Sequence, residues 1–241
     1  MPGEFVLSDT AVLLAVDVQL AFDDPSWGPR NNPAMEENGL GLLAAWRGAG
    51  RPVMHAKHNS TEQGSTLQPD APGNAFKPGF EPQAGEALVE KTVNAAFIGT
   101  SLEADLRQRG ITQVLAHTAH THHRRRPAGA ACAEPPLVPR ASAAPLKRTR
   151  LPGQVVVFGI TTDMCVSTTV RVGHNLGFDM AVVSDACATF DQTSPDGEPI
   201  AAALLHQVHL TTLNTEFAVA LRTADVQAMV QATLGPPPAA S

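Results

Sequence analysis

The sequence predicts an α/β fold, a three-layer Rossmann-like arrangement in which a mostly parallel central sheet of about six strands carries helices on both faces. Two observations predict it. Several apolar runs are continuous rather than alternating, as in AVLLAV and VVVF, which is typical of strands buried on both faces of a sheet. Between these runs lie segments with helical spacing of apolar residues, the order expected of a parallel sheet.

The first half of the chain is predicted to alternate strands and helices. TAVLLAVDVQ and RPVMHAK are predicted strands, and ALVE is a short apolar segment. The helix in NPAMEENGLGLLAAWRGAG is predicted to begin with Asn32 as its N-cap and Pro33 at the first helical position. A Gly- and Pro-rich stretch from His58 to Glu86 is predicted to be a functional loop. TSLEADLRQRG is a helix capped by Thr100 or Ser101.

The second half repeats the alternation. QVVVFG is a predicted buried strand, followed by a tight turn and a helix that ends at Gly177. DMAVVSDA is the next strand and PIAAALLHQVHL the next helix. The segment EFAVALRTADVQAMV supplies the last strand and helix. Residues 235–241 are predicted to form a disordered tail.

Length and composition favour one cytoplasmic domain. A chain of 241 residues with 43% hydrophobic residues is long enough for a single sizeable core. No apolar run approaches the ~20 residues that span a bilayer, and no secretory signal is visible at the N-terminus. Three scattered cysteines do not make a disulfide framework, so a reducing compartment is expected.

One segment, residues 114–154, departs from the rest in composition. It holds seven basic residues and one acid, so it carries +6 while the remaining 200 residues carry −12. The acidic remainder argues against nucleic acid as a partner. The segment has six prolines and no aromatic residue, which predicts a disordered insertion within the single domain 1–241.

Three residues with the chemistry of a nucleophilic site fall at predicted strand ends. Asp17 closes the first strand, Lys91 follows ALVE, and Cys165 follows VVVFG where a helix begins. A helix N-terminus and a nearby ammonium are expected to lower the pKa of the thiol, and a carboxylate can take its proton. Taken singly, a cysteine at such a junction is more often a packing residue, and an Asp after a strand is often a helix cap.

The motifs around these residues resemble the isochorismatase-like cysteine hydrolases, a superfamily that includes nicotinamidases, N-carbamoylsarcosine amidohydrolases and ureidoacrylate amidohydrolases. The resemblance rests on AVDVQLAF, EKTVNAAFIGTSLEADLRQRGI and VVVFGITTDMCVSTTVRVGHNLGF, in that order. It implies that Asp17 is the general base, Lys91 its charged partner and Cys165 the nucleophile. It also implies a cis peptide between Ile160 and Thr161, with an oxyanion hole made by the backbone N–H groups of Thr161 and Cys165.

Four further residues are predicted to bind the substrate. Gln19 and Phe22 belong to the family-like DxQxxF pattern, and Phe97 belongs to NAAF, where the resemblance leads us to expect serine in place of Ala95. Gln19 is expected to bind a substrate amide or to orient Asp17, and the two phenylalanines are as consistent with core as with pocket wall. His58 is the fourth, and Trp27 is a weaker pocket candidate. Cys187 is interpreted as a buried structural residue.

No metal and no cofactor are expected. His55 and His58 invite a metal interpretation, because nicotinamidases hold a divalent metal through an Asp-x-His pair and another His. The stretch MHAKHNS has no Asp in the corresponding place, and a metal needs three or four protein ligands. The resemblance further implies a small-molecule substrate, no membrane partner and a homodimer or homotetramer.

The predicted function is a cysteine hydrolase that cleaves a C–N bond (amide or carbamoyl/ureido) of a small molecule through a thioester intermediate. Two alternatives remain open at this point. One is isochorismatase-type hydrolysis of a vinyl ether, and the other is a catalytically silent binding protein on the same fold, since fold alone does not establish activity.

The unusual segment 114–154 generates a prediction about the transcript. Without it the chain reads RGITQ–VVVFGITTDMCV, a normal helix–turn–strand junction. All codons of its first residue, Val114, begin with GT, and one of the two codons of its last residue, Gln154, is CAG, so both ends are compatible with intron boundaries. We predict that the segment is a retained intron or an artefact of the gene model, read through in frame, and we expect RNA sequencing and peptide mapping to detect Gln113 joined directly to Val155. Abundant protein carrying tryptic peptides from within 114–154 would contradict this.

Overall fold

Six parallel strands form the central sheet, as the sequence predicts. In this computed structural model, which describes residues 5–111 and 153–234, a short antiparallel hairpin lies outside that sheet. The sheet strands are β1 (Val12–Val16), β2 (Val53–His58), β3 (Ala87–Lys91), β4 (Gln154–Ile160), β5 (Asp179–Ala188) and β8 (Val219–Leu221), and the hairpin strands are β6 (Gln192–Thr193) and β7 (Pro199–Ile200). The order across the sheet is β3-β2-β1-β4-β5-β8.

Five α-helices connect these strands within the described part of the chain. They are α1 (Met35–Gly48), α2 (Leu102–Gln108), α3 (Ser167–Asn175), α4 (Ala202–Thr212) and α5 (Thr223–Thr233). The crossover through α1 leads from β1 to β2 on one side, and the crossover through α3 leads from β4 to β5 on the other. Because parallel crossovers are right-handed, these two helices cover opposite faces of the sheet. No described helix is both long and apolar enough to cross a membrane.

The strand patterns explain the core. All residues of β1 and of β4 are buried, so these two strands lie at the centre of the sheet with a helix layer on each side. Trp46 of α1 is fully buried, and its indole N–H donates to the carbonyl of Ala11 at 3.0 Å, just before β1. This bond satisfies the polar atom of the largest core side chain and fixes α1 against the sheet.

The start of α1 differs from the prediction. Asn32 is not the N-cap, because the helix begins at Met35 and is preceded by Ala34. Asn32 instead has a φ of 46°, and its side-chain N–H groups donate to the carbonyls of Cys187 at 2.6 Å and Ser184 at 3.1 Å. The bonds tie the loop after β1 to β5. A local sequence pattern does not reveal this partner, because β5 lies about 150 residues away in the chain.

Most of the predicted insertion and all of the predicted tail lie outside the described residues. Gln154, the last residue of the predicted insertion, is described and is the first residue of β4. Its side chain accepts from the backbone N–H of Ser8 at 2.7 Å and donates to Asp179 at 3.0 Å, so it joins the N-terminus to β5. Since Gln113 is the same residue type, a chain lacking the segment would keep a glutamine at this position.

Gly159 gives a test of how closely β1 and β4 approach beside the predicted site. Its φ is 138°, and a Cβ placed on it would lie 2.0 Å from the carbonyl oxygen of Val16. We predict that Gly159→Ala lowers the free energy of unfolding by about 3 kcal/mol or more, measured by chemical denaturation.

Gly48 is the matched control, because it lies in α1 with nothing within 4 Å of a built Cβ. Gly48→Ala should change stability by less than about 1 kcal/mol. Equal stability of the two variants would show that β1 and β4 do not approach as closely as described.

Candidate active site

The predicted catalytic residues meet where the strand order reverses. Successive connections lead from β1 outward to β2 and β3, and the chain then returns to the other side of β1 to form β4. In open parallel sheets, the crevice at such a switch point, at the carboxyl ends of the strands, is the usual ligand site. Asp17 follows β1, Lys91 ends β3, and Cys165 lies in the turn after β4.

Asp17 and Lys91 form a fully buried ion pair. The Lys91 ammonium lies 2.6 Å from Oδ2 of Asp17, and both side chains have 0% exposure. Asp17 has a φ of 53°, in the left-handed region, which asparagine and aspartate tolerate better than other non-glycine residues. This backbone conformation turns the chain immediately after β1, where the aspartate meets the lysine from β3.

Cys165 completes the group. The ammonium of Lys91 lies 3.5 Å from Sγ of Cys165, and the thiol is 6% exposed. The side-chain oxygen of Asn94 lies 3.6 Å from the same sulfur. The amino group of one lysine thus bridges the carboxylate and the thiol predicted from the sequence to act together.

The backbone around the thiol is specialised. The peptide bond between Ile160 and Thr161 is cis, as the resemblance implies, and residues Thr162–Val166 form a π-helical turn before α3. Thr161 is 3% exposed, and its hydroxyl has no hydrogen-bond partner among the described residues. A molecule bound beside the nucleophile could form the hydrogen bond that this buried hydroxyl lacks.

The electrostatics of the thiol differ from the sequence prediction. Burial and the neighbouring Asp17 carboxylate raise the pKa of Cys165, and Lys91 lowers it by less. Burial also raises the pKa of Asp17, although Lys91 opposes this shift. The resting site therefore holds the thiol protonated, with the carboxylate beside it as the proton acceptor. Desolvation outweighs the lysine charge because the sulfur lies almost wholly out of water.

His58 is the fourth polar group at this centre. Its Nδ1 lies 3.1 Å from the Lys91 ammonium, 3.8 Å from Sγ of Cys165 and 3.8 Å from Oδ2 of Asp17. Burial, and then the charge of Lys91, lower the pKa of His58 to about 4. The imidazole is therefore neutral near pH 7, and Nδ1 accepts the hydrogen bond that Lys91 donates.

The turn that carries Cys165 is anchored by α4 and by the segment after β5. The hydroxyl of Thr162 lies 2.8 Å from Nδ1 of His206 on α4. The carboxylate of Asp163 accepts hydrogen bonds from the hydroxyl of Thr189 and from the amide of Gln192. These contacts hold the nucleophile turn from both sides, so the position of the thiol depends on parts of the chain far from it in sequence.

The predicted loop between β2 and β3 forms one wall of a cavity above the thiol. The cavity has a volume of about 590 Å³, and Cys165, His58 and Thr161 line its inner end. Asn74, 2% exposed, holds the loop by donating to the carbonyls of Leu67 at 2.8 Å and His58 at 3.1 Å. The loop is thus fixed to the end of β2, and residues Ser60 and 62–67 of it line the cavity.

Of the four predicted substrate-binding residues, Phe22 and His58 line the cavity, whereas Gln19 and Phe97 do not. Trp27, the weaker candidate, also lines it. Gln19 is fully buried, and its side chain accepts from the backbone N–H of His58 at 2.9 Å and donates to the carbonyls of His58 and Asn74. Its hydrogen bonds thus serve to position His58. Phe97 is 6% exposed and stacks on Phe178 with ring centroids 5.6 Å apart.

The two histidines considered for a metal face different surroundings. His55 is fully buried, and its Nε2 lies 2.8 Å from the carboxylate of Glu86, whereas His58 lies at the thiol. Three residues apart on a strand, they point to opposite faces of the sheet. Asp17, His58 and Cys165 offer ligand atoms within 4.8 Å of one another, but the Lys91 ammonium already pairs with this group, and a cation there would oppose its charge.

Several residues of the site carry no signal in the sequence that singles them out. Asn94 lies 3.6 Å from the sulfur of Cys165, but asparagine is a common residue type in turn regions. His206 lies on an apolar helix, where a histidine is most often a packing residue. Cys187, interpreted as structural, is fully buried in β5, and burial raises its pKa to about 12.

Comparison with known proteins places these features in one family. The family model described as the isochorismatase domain matches residues 11–123 and 144–225. The isochorismatase family protein YrdC of Bacillus subtilis is 35% identical over 217 residues, which cover 90% of this chain and 94% of that protein. Streptothricin hydrolase of Streptomyces noursei is 28% identical over 230 residues, covering 95% of this chain and 68% of that enzyme.

Solved structures agree with the sequence comparison. The crystal structure of a protein assigned to the isochorismatase family of hydrolases from Chromobacterium violaceum has a TM-score of 0.75 and 37% identity, and it covers 96% of this chain and 100% of its own. N-carbamoylsarcosine amidase of Thermoplasma acidophilum shares the fold, with a TM-score of 0.57 and 17% identity over 89% of this chain and 96% of its own. The chain is a member of the isochorismatase family of hydrolases.

Proposed function

We propose that this protein is a cysteine hydrolase of small amides or carbamoyl compounds, acting through a thioester on Cys165. One observation carries the proposal: a single buried ammonium, that of Lys91, lies 2.6 Å from the Asp17 carboxylate and 3.5 Å from the Cys165 thiol. A nucleophile, a base and a cation that stabilises negative charge are the groups that acyl transfer requires.

The first half of the reaction forms the thioester. Asp17 takes the thiol proton as the sulfur of Cys165 attacks the carbonyl carbon, and the carbonyl oxygen becomes an oxyanion. The backbone N–H groups of Thr161 and Cys165 are the proposed donors to that oxyanion, and each such donor contributes about 3 to 4 kcal/mol in comparable sites. Asp17 then gives its proton to the leaving nitrogen, the C–N bond breaks, and ammonia or an amine departs.

The second half returns the enzyme to its starting state. Water attacks the thioester carbonyl while Asp17 accepts one of its protons. The C–S bond breaks, the acid product departs, and the proton returns to the sulfur of Cys165. The net reaction adds one water across the C–N bond. Geometry supports this exchange, because the Asp17 carboxylate and the Cys165 sulfur lie within 4.8 Å of each other.

Hydrolysis of a vinyl ether is the second candidate. A substrate screen distinguishes the two, since an amide or carbamoyl compound releases ammonia or an amine, and a vinyl ether does not. Among the relatives, streptothricin hydrolase is named as a hydrolase, and the name N-carbamoylsarcosine amidase favours C–N cleavage. The cytoplasmic location and the homo-oligomer remain predictions from the sequence.

Substitution of the thiol tests the mechanism. We expect Cys165→Ala and Cys165→Ser to lose about 10,000-fold or more in kcat/KM for any amide the wild type hydrolyses, because alanine has no nucleophile and a serine hydroxyl is a far weaker nucleophile than a thiol. Ammonia release measures the rate, and thermal unfolding should show that the fold is retained.

Cys187 provides the matched control for this prediction. It is a second fully buried free thiol, and it does not line the cavity. Cys187→Ala should cost about 1 kcal/mol of stability and keep most of the activity. An active Cys165→Ala enzyme would refute the thioester mechanism and leave the family assignment intact.

The depressed pKa of His58 predicts a pH dependence of stability. The unfolded chain binds a proton at His58 below about pH 6.5, whereas the folded protein binds it only near pH 4. Stability contributed by the neutral imidazole is therefore lost as the pH falls from about 6.5 to about 4.

Chemical denaturation of wild type and of His58→Gln across this range measures the effect. The difference in free energy of unfolding, wild type minus variant, should decrease as the pH is lowered through the window and level off below it. Parallel curves for the two proteins would contradict a neutral His58.

A further inference from the structure

The cavity above Cys165 has an unbalanced charge. Glu62 lines it, and no lysine or arginine does so among the described residues. His58, which also lines it, is neutral near pH 7 because its pKa is about 4. The nearest lysine, Lys91, is 1% exposed and is paired with Asp17, so its charge is already compensated. Glu62 itself has no ion-pair partner in the part of the chain that the structure describes.

A carboxylate on the substrate would be unfavourable in this cavity. It would lose hydration, gain no described cation as a partner and experience the repulsion of Glu62. A positive group would instead find an unpaired carboxylate at an exposed position of the wall. The charge of the lining thus discriminates between substrates of similar size and opposite charge.

The aromatic wall adds a second attraction for a cation. Trp27 and Phe22 line the cavity, with ring centroids 5.0 Å apart, and Trp27 also packs against Phe190 at 5.3 Å. Indole and phenyl faces attract ammonium and guanidinium groups. Trp27 is half-buried, so the cluster is both held by packing and open to the cavity.

The inner end of the cavity carries an independent sign of a ligand. Thr161 is 3% exposed, and its hydroxyl has no partner among the described residues although it lies beside the nucleophile turn. A buried hydroxyl without a partner is costly, and a polar group of a bound substrate would satisfy it. The cavity thus has a hydroxyl without a hydrogen-bond partner at its inner end, on Thr161, and a carboxylate without an ion-pair partner on its exposed wall, on Glu62.

We propose, on the basis of the amide hydrolase function above, that this site selects small amides that carry a positive charge and discriminates against those that carry a carboxylate. Glu62 is the specificity-determining residue. The protonated amine or guanidine of the substrate lies toward Glu62 and the aromatic wall, while the scissile carbonyl lies at Cys165.

Three amides that share one carbon framework test the proposal. β-Alaninamide, butanamide and succinamate differ only in the terminal group, which is an ammonium, a methyl or a carboxylate. For wild type we expect kcat/KM, measured by ammonia release, to fall in that order. Glu62→Gln should lower the preference for β-alaninamide over succinamate by about fivefold or more, and added salt should reduce the wild-type preference.

Glu37→Gln is the control variant, since it removes the same charge from an exposed site on α1 that does not line the cavity. It should keep the wild-type order. Wild-type preference for succinamate, or an unchanged preference in Glu62→Gln, would overturn the proposal.

Binding separates this proposal from the proposed function. The affinity of each amide for Cys165→Ala, measured by calorimetry, ranks the charges without any turnover. Cationic preference in binding without hydrolysis by wild type would support the charge selection and contradict the amide hydrolase function. Hydrolysis by wild type with no cationic preference would support the amide hydrolase function and contradict the charge selection.

Discussion

The site depends on one buried ion pair. Asp17 and Lys91 lie 2.6 Å apart with no exposure to solvent. Removing two charges from water costs several kcal/mol for each ion, and the attraction between them repays this only where geometry and hydrogen bonding are good. Here the lysine also donates to the carbonyl of Val93 and to His58, so its three protons have acceptors. The ends of β1 and β3 must therefore stay in register for the pair to persist.

The same pair sets the chemistry of the thiol. Lys91 approaches Cys165 from the side of the sheet, while the turn after β4 brings the sulfur in from the other side of β1. The buried position raises the pKa of the thiol and the pKa of the carboxylate, so the thiol is protonated in the resting site. A reactive thiolate in the resting enzyme would be open to oxidation, and a protonated thiol is less so. Substrate specificity is left to the cavity wall, where Glu62 and the aromatic residues lie.

The sequence predicts the sheet well and points to three residues that the structure brings together, but it predicts their surroundings poorly. Continuous apolar runs locate β1 and β4 because a doubly covered strand leaves a strong pattern, and the polar residues after such runs point to the catalytic edge. Gln19 and Asn32 show the limit. Their side chains bond to backbone groups of distant segments, which no local pattern reveals. The pKa of Cys165 is a second example of what the sequence does not reveal, because this pKa depends on how deeply the folded structure buries the sulfur.

We propose that Cys165, activated by Asp17 and Lys91, carries the acyl group of an amide substrate. Acid quenching during turnover, followed by mass spectrometry of the peptide that contains Cys165, detects this acyl group. We expect the peptide to gain the mass of the acyl group in wild type, and we expect no accumulation of the adduct in Asp17→Asn. Rapid turnover of an amide with the acyl group never found on Cys165, or found on another residue, would refute covalent catalysis by Cys165.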